Sequence, residues 1–256
     1  MILLFTDFGS QDIYIGQFKA ALLRACGTVP VIDLLHEAPD HDITLSAHLL
    51  AALAASSSQC SDVVLAVVDP GVGGARRPVV VQADGIWYIG PDNGLLSVVA
   101  ERSKEVRVWE IIWRPQVLSA SFHGRDLFAP IAAMLATGVT WEGALLEIAG
   151  LDVSLGATSL YQVIYVDHYG NALTGIRASE LQHDAKLSVN QNQISYERVF
   201  SEVPEGNIFW YENSLGLVEI AGNYVHAARQ LQITTGMTVN LLTKSGRRAE
   251  RGCPVR

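Results

Sequence analysis

Four short clusters of polar residues and glycine follow predicted strands or begin predicted helices. They are TDFG at 6–9, DPGVG at 69–73, GPDNG at 90–94 and SFHGRD at 121–126. Ligands of open α/β sheets bind beyond the carboxyl ends of the strands, where Asp7 and Asp69 are both expected. A carboxylate there can accept hydrogen bonds from both hydroxyls of a ribose, although a helix cap or a turn is the commoner role of a single aspartate. Together the clusters predict a small-molecule site at one edge of a sheet.

Two common phosphate-binding motifs are absent from these clusters. No Gly-Lys-Ser/Thr sequence follows DPGVG, and residues 76–78 (Arg-Arg-Pro) lead into a strand rather than a helix, which excludes a P-loop and a dinucleotide fingerprint. Three histidines lie on or beside one predicted helix among apolar residues and are interpreted as structural: His36, His41 and His48. His123 differs, because Gly124 beside it lets a ligand approach closely.

The first half of the chain alternates strands and helices. Strands are predicted at 2–5, 29–35, 63–68, 79–83, 86–89 and 106–112. Helices are predicted at 10–26, 42–56 and 95–101, and a further helix ends near Gly138. Continuous apolar strands that alternate with helices indicate a sheet covered on both faces, and the hairpin at Asp84-Gly85 makes that sheet mixed. The prediction is an α/β N-terminal domain over residues 1–150, with a central mixed, mostly parallel sheet.

The second half changes to short strands separated by turn residues. The strands are predicted at 161–167, 187–189, 193–196, 207–211, 216–221 and 238–243, with one short helix at 224–231. Many short strands with frequent turns are typical of a small barrel or sandwich. A small all-β C-terminal domain of that kind is therefore predicted over residues 158–256, with the boundary in the weakly patterned stretch 138–160.

Composition restricts the class of protein. The 256 residues are 49% hydrophobic and 17% charged, so the chain can bury a substantial core and is not disordered. Nucleic-acid binding needs a basic face, but the net charge is −8 and the short basic cluster at 247–251 is interpreted as a solvated terminus. The three cysteines are dispersed, which argues against a disulfide framework or a structural zinc site and predicts buried thiols. The apolar runs are too short for a signal peptide or a membrane span, which predicts a soluble, cytoplasmic protein.

Six motifs together resemble one known family. They are TDFG (6–9), VVDPGVGGARRP (67–78), GPDNGLL (90–96), SFHGRDLFAP (121–130), VDHYGN (166–171) and NSLGLVEIAGN (213–223), and they span nearly the whole chain in order. In residues and spacing they resemble the S-adenosyl-L-methionine (SAM) hydroxide adenosyltransferases, which are relatives of the fluorinase and chlorinase enzymes. The resemblance implies hydrolysis of SAM by attack of hydroxide at C5′, giving adenosine and L-methionine without a metal ion or a further cofactor.

The resemblance also implies which residues form the site. The catalytic group would be Asp69, Arg76 and His123, since the arginine follows the aspartate by seven residues as in the hydrolytic members; this favours Arg76 over its neighbour Arg77. Asp7 would hold the ribose hydroxyls. The other substrate-binding residues would be Asp167, Asn171, Ser214 and Glu219 for the methionine portion, and Phe200 and the backbone of Tyr224 for adenine.

The implied catalytic group suits activation of water without a metal ion. The sulfonium at C5′ departs as a neutral thioether, so the reaction lacks only a nucleophile, because water has a pKa of about 15.7. His123, with a reference pKa of about 6.5, is interpreted as the general base. Asp69 is expected to orient the imidazole and the water, and Arg76 to hold the carboxylate and stabilise developing hydroxide charge.

Two alternative functions stay open. In the halide-using relatives the resemblance places a tyrosine at the position of Asp69 and serine or glycine at the position of His123. A carboxylate would repel fluoride or chloride by roughly several kcal/mol in a dry site, which favours hydrolysis. A non-catalytic sensor of SAM or adenosine would use the substrate-binding residues and leave His123 and Arg76 without a role.

The resemblance further implies an assembly. It predicts a homotrimer whose active site lies between the N-terminal domain of one subunit and the C-terminal domain of the next. The expected partner is SAM, with neither nucleic acid nor membrane.

Overall fold

The computed structural model of the protein describes residues 1–139 and 143–242. These residues divide into two units, Met1–Ala157 and a second that begins at Thr158. The basic cluster at 247–251, Cys253 and the last residue of the strand predicted at 238–243 lie outside the described residues. Cys26 is buried as predicted, whereas Cys60 is exposed, so the prediction of a buried thiol is wrong there.

One seven-stranded sheet forms the centre of the first unit. Its strands are β1 (Ile2–Thr6), β2 (Val31–Leu35), β3 (Val63–Val67), β4 (Pro78–Ala83), β5 (Ile86–Pro91), β6 (Val106–Ile111) and β7 (Leu145–Ile148), in the order β2-β1-β3-β5-β4-β6-β7. The pairs β1–β2, β1–β3 and β3–β5 are parallel, and β4–β5, β4–β6 and β6–β7 are antiparallel. The mixed sheet is confirmed, but half of its pairings are antiparallel, so it is less parallel than predicted.

Four helices cover this sheet. They are α1 (Ile13–Cys26), α2 (Ile43–Ser57), α3 (Ser97–Arg102) and α4 (Ala129–Thr137), the last preceded by a π-helical turn at Gly124–Phe128. Asp42 caps α2 by accepting from the amide of Leu45 at 3.0 Å. The α1 helix begins three residues later than predicted, because Asp12 caps it after a turn in which the amide of Asp12 donates to the Gly9 carbonyl.

The strands that carry the predicted site residues are buried along their whole length. Every residue of β1 and β3 is buried, as expected for strands covered on both faces. Phe18 of α1 and Phe128 beside α4 pack with Leu65 of β3 in one apolar core. Because that core fixes β1 and β3, the positions of Asp7 and Asp69, which follow their carboxyl ends, are fixed as well.

The second unit contains two antiparallel sheets. Its elements are β8 (Leu160–Val166), β9 (Ala172–Arg177), β10 (Lys186–Val189), β11 (Asn192–Ile194), β12 (Ile208–Glu212), β13 (Leu217–Gly222), α5 (Ala227–Leu231) and β14 (Asn240–Leu242). The sheet orders are β12-β13-β9-β8 and β11-β10-β14. Side chains of both sheets, among them Ile176, Val189 and Trp210, share one core.

The barrel predicted for this unit is not confirmed. Isolated bridges join Tyr196 to Trp210 and Gln162 to Thr238, but continuous pairing between the two sheets is absent among the described residues. The short helix begins at Ala227 rather than at the predicted Tyr224. Tyr224 has a left-handed backbone with φ 58°, and His226 caps the helix by accepting from the amide of Arg229 at 3.1 Å.

Candidate active site

Asp69 and Arg76 form a buried ion pair within the loop between β3 and β4. The Nε of Arg76 donates to Oδ1 and Oδ2 of Asp69 at 3.0 and 3.1 Å, and its Nη2 also donates to Oδ2. The carboxylate is 4% exposed and the guanidinium side chain 10% exposed. Because removing either partner would leave a buried charge unpaired, the pair fixes the position of both side chains.

His123 joins this pair through Arg76. The Nη2 of Arg76 donates to Nδ1 of His123 at 3.0 Å, and the guanidinium carbon lies 5.5 Å from the centre of the Phe128 ring. His123 is placed by the π-helical turn that follows it, a local widening of the helix that often occurs at functional sites. The prediction that Asp69 orients the imidazole is wrong in one respect, since Arg76 lies between them and makes that contact.

Gly73 lets the two loops of this group meet. Its φ is +79°, and a Cβ at this position would lie 2.5 Å from the carbonyl oxygen of Ala120. A side chain would therefore push apart the loop that carries Arg76 and the loop that carries His123.

The surroundings of His123 favour its neutral form. Burial lowers the pKa of the imidazole, and the charges of Arg76 and Arg114 lower it further, against opposing effects of Asp69 and Asp126. These effects favour the uncharged imidazole, in which one nitrogen is protonated and one is free.

A cavity of about 790 Å³ in the first unit contains most of the predicted N-terminal site. Asp7, Asp69 and His123 line it, with Phe122 and Tyr14 among the aromatic residues of its wall. Arg76 is not part of the lining, so it lies behind the two residues that it joins.

Asp7 lies in this cavity with a partner that the sequence did not suggest. Its side chain is 8% exposed, and its Oδ2 accepts from the backbone amide of His41 at 3.1 Å. Burial raises the pKa of the carboxyl. His41 itself is 80% exposed and lines the cavity, so its interpretation as a structural residue among apolar neighbours is wrong, whereas His36 and His48 are buried.

Arg77, the alternative to Arg76, points to other partners. It pairs with Asp92 at 3.0 Å and with Asp152 at 2.6 Å, and it donates to the carbonyl of Gly150 at 3.3 Å. These contacts tie the segment around Gly150 and Asp152 to the rest of the first unit. Arg77 is therefore a structural residue, and the arginine beside His123 is Arg76.

The second unit has a cavity of its own, of about 860 Å³. Its lining includes all of the residues predicted to hold methionine and adenine: Asp167, Asn171, Phe200, Ser214, Glu219 and Tyr224. The amide side chain of Asn171 donates to Oδ2 of Asp167 at 3.1 Å, and its backbone amide donates to Oδ1 at 2.8 Å. These two hydrogen bonds hold the Asp167 carboxylate in place.

The two residues that hydrogen-bond Glu219 in this cavity were missed from the sequence. Tyr211 donates to Oε1 of Glu219 at 2.9 Å, and Asn213 donates to its Oε2 at 2.8 Å. Burial raises the pKa of Glu219, which these two donors partly offset. Asn213 begins the motif that contains Ser214, and Tyr211 lies two residues before it. Because side chains two positions apart in a strand share one face, this spacing was the signal that could have identified both residues.

Comparison with known proteins decides the family. The model of the SAM hydroxide adenosyltransferase N-terminal domain matches residues 2–144, and the model of the corresponding C-terminal domain matches residues 161–240. The chain belongs to the SAM hydroxide adenosyltransferase family. The resemblance stated from its six motifs is thereby confirmed.

Similar members of this family include named enzymes. An (R)-S-adenosyl-L-methionine hydrolase of Thermus thermophilus is 36% identical over 255 residues, which covers 93% of this chain and 97% of the relative. Another, from Salinispora arenicola, is 36% identical and covers 90% and 93%. A fluorinase of Nocardia brasiliensis is only 22% identical, over 94% of this chain and 96% of its own.

A solved structure supports the fold of this SAM hydroxide adenosyltransferase. An uncharacterized conserved protein from Thermotoga maritima matches with a TM-score of 0.85 and 30% identity, over 94% of this chain and 99% of that one.

Within residues 1–139 and 143–242, no group of three or more His, Cys, Asp or Glu side chains is arranged to bind a metal ion. Over the same residues, every helix is too short or too polar to cross a bilayer.

Proposed function

We propose that this protein is a hydrolase that cleaves SAM with water into adenosine and L-methionine. The observation that carries the proposal is the hydrogen-bonded group of Asp69, Arg76 and His123, whose two outer members face the same cavity as Asp7. Membership of the family and the names of the similar hydrolases support it.

The chemistry of the group suits water as the nucleophile. The oxygen of water attacks C5′ while the C5′–S bond breaks and its electron pair leaves on the sulfur of methionine. A carboxylate and an imidazole can orient that water in line with the C–S bond, and such positioning supplies a large part of a rate acceleration. In this arrangement Arg76 acts as a positioning residue, because it contacts both side chains from behind the cavity wall.

Halide is a poor nucleophile for this cavity. A halide ion at the position of the attacking water would meet the Asp69 carboxylate, and like charges at close range repel by roughly several kcal/mol in a site with little water. The pairing of Asp69 with Arg76 removes part of that charge but leaves no excess of positive charge to attract an anion.

The decisive assay follows the oxygen atom. Purified protein incubated with SAM in ¹⁸O-labelled water is expected to give adenosine with the label at its 5′ oxygen, measured by mass spectrometry. The two sulfur epimers of SAM are assayed separately, because the similar hydrolases are named for the (R) epimer; we expect this chain to prefer that epimer. Formation of 5′-chloro-5′-deoxyadenosine in chloride buffer would contradict hydrolysis, and binding without adenosine formation would indicate a sensor.

Two sets of residues are proposed to hold the substrate, one at its ribose and the other at its methionine and adenine portions. Asp7 holds the ribose hydroxyls, and Asp167, with Asn171, Ser214 and Glu219, holds the charged end of methionine. Phe200 and the backbone of Tyr224 lie against adenine. The homotrimer and the lack of any cofactor remain predictions from the resemblance, and the cytoplasmic location remains a prediction from the short apolar runs of the sequence.

Paired substitutions test this division of the substrate. Asp7→Asn is expected to weaken inhibition by adenosine about tenfold and leave inhibition by methionine unchanged, because a charged hydrogen bond contributes about 1.5–3 kcal/mol. Asp167→Asn is expected to do the reverse. Competition kinetics with each product measure both effects, and each variant serves as the other's control. If either variant weakened inhibition by adenosine and by methionine equally, the proposed division of the substrate would be contradicted.

A further inference from the structure

The contact between Arg76 and His123 determines which nitrogen of the imidazole carries a proton. A guanidinium has five N–H donors and no acceptor, so any atom that it hydrogen-bonds must offer a lone pair. Its Nη2 lies 3.0 Å from Nδ1 of His123. Nδ1 is therefore the free nitrogen of the neutral ring, and the proton is on Nε2.

This tautomer conflicts with the role of a general base. The lone pair of Nδ1 is already used by Arg76, and Nε2 carries a hydrogen instead of a lone pair. To accept a proton from water, the ring would have to give up its bond to Arg76 and become a cation beside that cation. The lowered pKa of His123, which burial and Arg76 both cause, works against this change.

Asp69 is the acceptor that the group still offers. A carboxylate has about four lone-pair positions, and Arg76 makes three contacts with it, two of them to Oδ2 and one to Oδ1. Oδ1 therefore keeps a lone pair for a further donor. Asp69 lines the cavity together with His123, whereas Arg76 does not.

We propose that His123 binds the attacking water as a hydrogen-bond donor through Nε2, and that Oδ1 of Asp69 takes the proton that this water loses. The proposal rests on the hydrolysis proposed above. The water oxygen forms its bond to C5′, the C5′–S bond breaks with its electron pair on sulfur, and one water proton moves to Asp69. Arg76 keeps its charge, and the proton later leaves to solvent.

A carboxylate is a sufficient base for this step. The water oxygen becomes positively charged as the C–O bond forms, so its protons become strongly acidic during the attack. A carboxylate oxygen placed against the water can then accept one of them as the attack proceeds. Hydroxide therefore does not have to form before the attack begins, in contrast to the mechanism expected from the sequence.

The tautomer is measured directly by ¹⁵N NMR. In protein with ¹⁵N-labelled histidine, two-bond ¹H–¹⁵N correlation distinguishes protonated from free ring nitrogens, and the spectrum of His123→Gln assigns the signals. We expect a free Nδ1 and a protonated Nε2 at all pH values above the pKa of His123. The charged groups that act on this ring are Arg76, Asp69, Arg114 and Asp126. A proton on Nδ1 in the neutral ring would overturn the proposal.

Turnover tests the role as a donor. Glutamine has no basic nitrogen, but its amide N–H reaches the position of Nε2, so His123→Gln is expected to keep kcat within about tenfold of the parent, whereas His123→Ala loses about a hundredfold or more. Both variants are expected to bind adenosine like the parent, which shows that they fold. If His123→Gln binds adenosine but is as slow as His123→Ala, a basic nitrogen is required and the proposal is wrong.

The two proposals can fail separately. If the parent protein makes no adenosine from either epimer of SAM, the proposed function fails, while the NMR result still decides the tautomer. If the parent is active and the proton is on Nδ1, the function stands and the assignment of the proton acceptor fails.

Discussion

Asp69→Asn is expected to lower kcat for SAM hydrolysis by about a thousandfold or more, since positioned proton acceptors contribute about 10²–10⁴-fold to rates. Asparagine keeps the shape of the side chain but removes the negative charge and the basic oxygen. Steady-state kinetics with SAM measure the loss, and the affinity for adenosine is expected to change little because Asp7 and the rest of the cavity are unaltered.

The matched control for this variant is Asp92→Asn. Asp92 is also a buried aspartate paired with an arginine, Arg77, and its side chain is fully buried. It does not line the cavity of Asp69. Asp92→Asn is therefore expected to reduce stability while kcat stays at the parent value below the unfolding temperature. If kcat of Asp69→Asn falls by less than about tenfold, Asp69 is not the group that accepts the proton of the attacking water.

Arg76→Ala is expected to lower kcat by about a hundredfold, the scale found when a preorganised polar contact of an active site is removed. The loss has a signature that damage to the fold alone would not produce. Arg76 lowers the pKa of His123, so its removal is expected to raise that pKa, because the cation is lost and the Asp69 charge is no longer balanced. NMR titration of His123 measures the change.

Arg77→Ala is the control for Arg76→Ala. It leaves the buried Asp92 without its cation, which is expected to destabilise the fold by about 3 kcal/mol in a denaturant titration. Its kcat and the pKa of His123 are expected to match the parent. Equal losses of kcat in the two alanine variants would mean that the choice of Arg76 over Arg77 is wrong.

The position of the site could be predicted from the sequence, but not its connectivity. Asp69 follows a continuous apolar strand, so its place at a strand end came from the pattern alone. Arg76 and Arg77 are adjacent residues of the same type, and only the family spacing favoured one of them. Arg76 contacts both Asp69 and His123 because two loops that are far apart in sequence meet in the folded chain. No local sequence pattern encodes such a contact.

The fold was predictable where elements are long and apolar, and less so where they are short. The strand β7 (Leu145–Ile148) was missed because it has four residues and its two central ones are exposed, so it lacks an apolar run. The strand β9 (Ala172–Arg177) was missed although it is almost wholly buried, since Thr174 and Gly175 interrupt its apolar pattern. His41 was misjudged because its neighbours in sequence are those of a helix, whereas its left-handed backbone turns it toward Asp7.

The contact of Gly73 with Ala120 has a consequence for the energetics of the reaction. Two loops separated by 47 positions in the chain pack closely there, and the hydrogen bonds of Arg76 with Asp69 and His123 join them. The dipoles that face the attacking water therefore need little reorganisation when charge moves during the reaction, which is how preorganised sites lower a barrier. The free energy needed to align them is spent when the chain folds, and none of it has to be drawn from the binding of SAM.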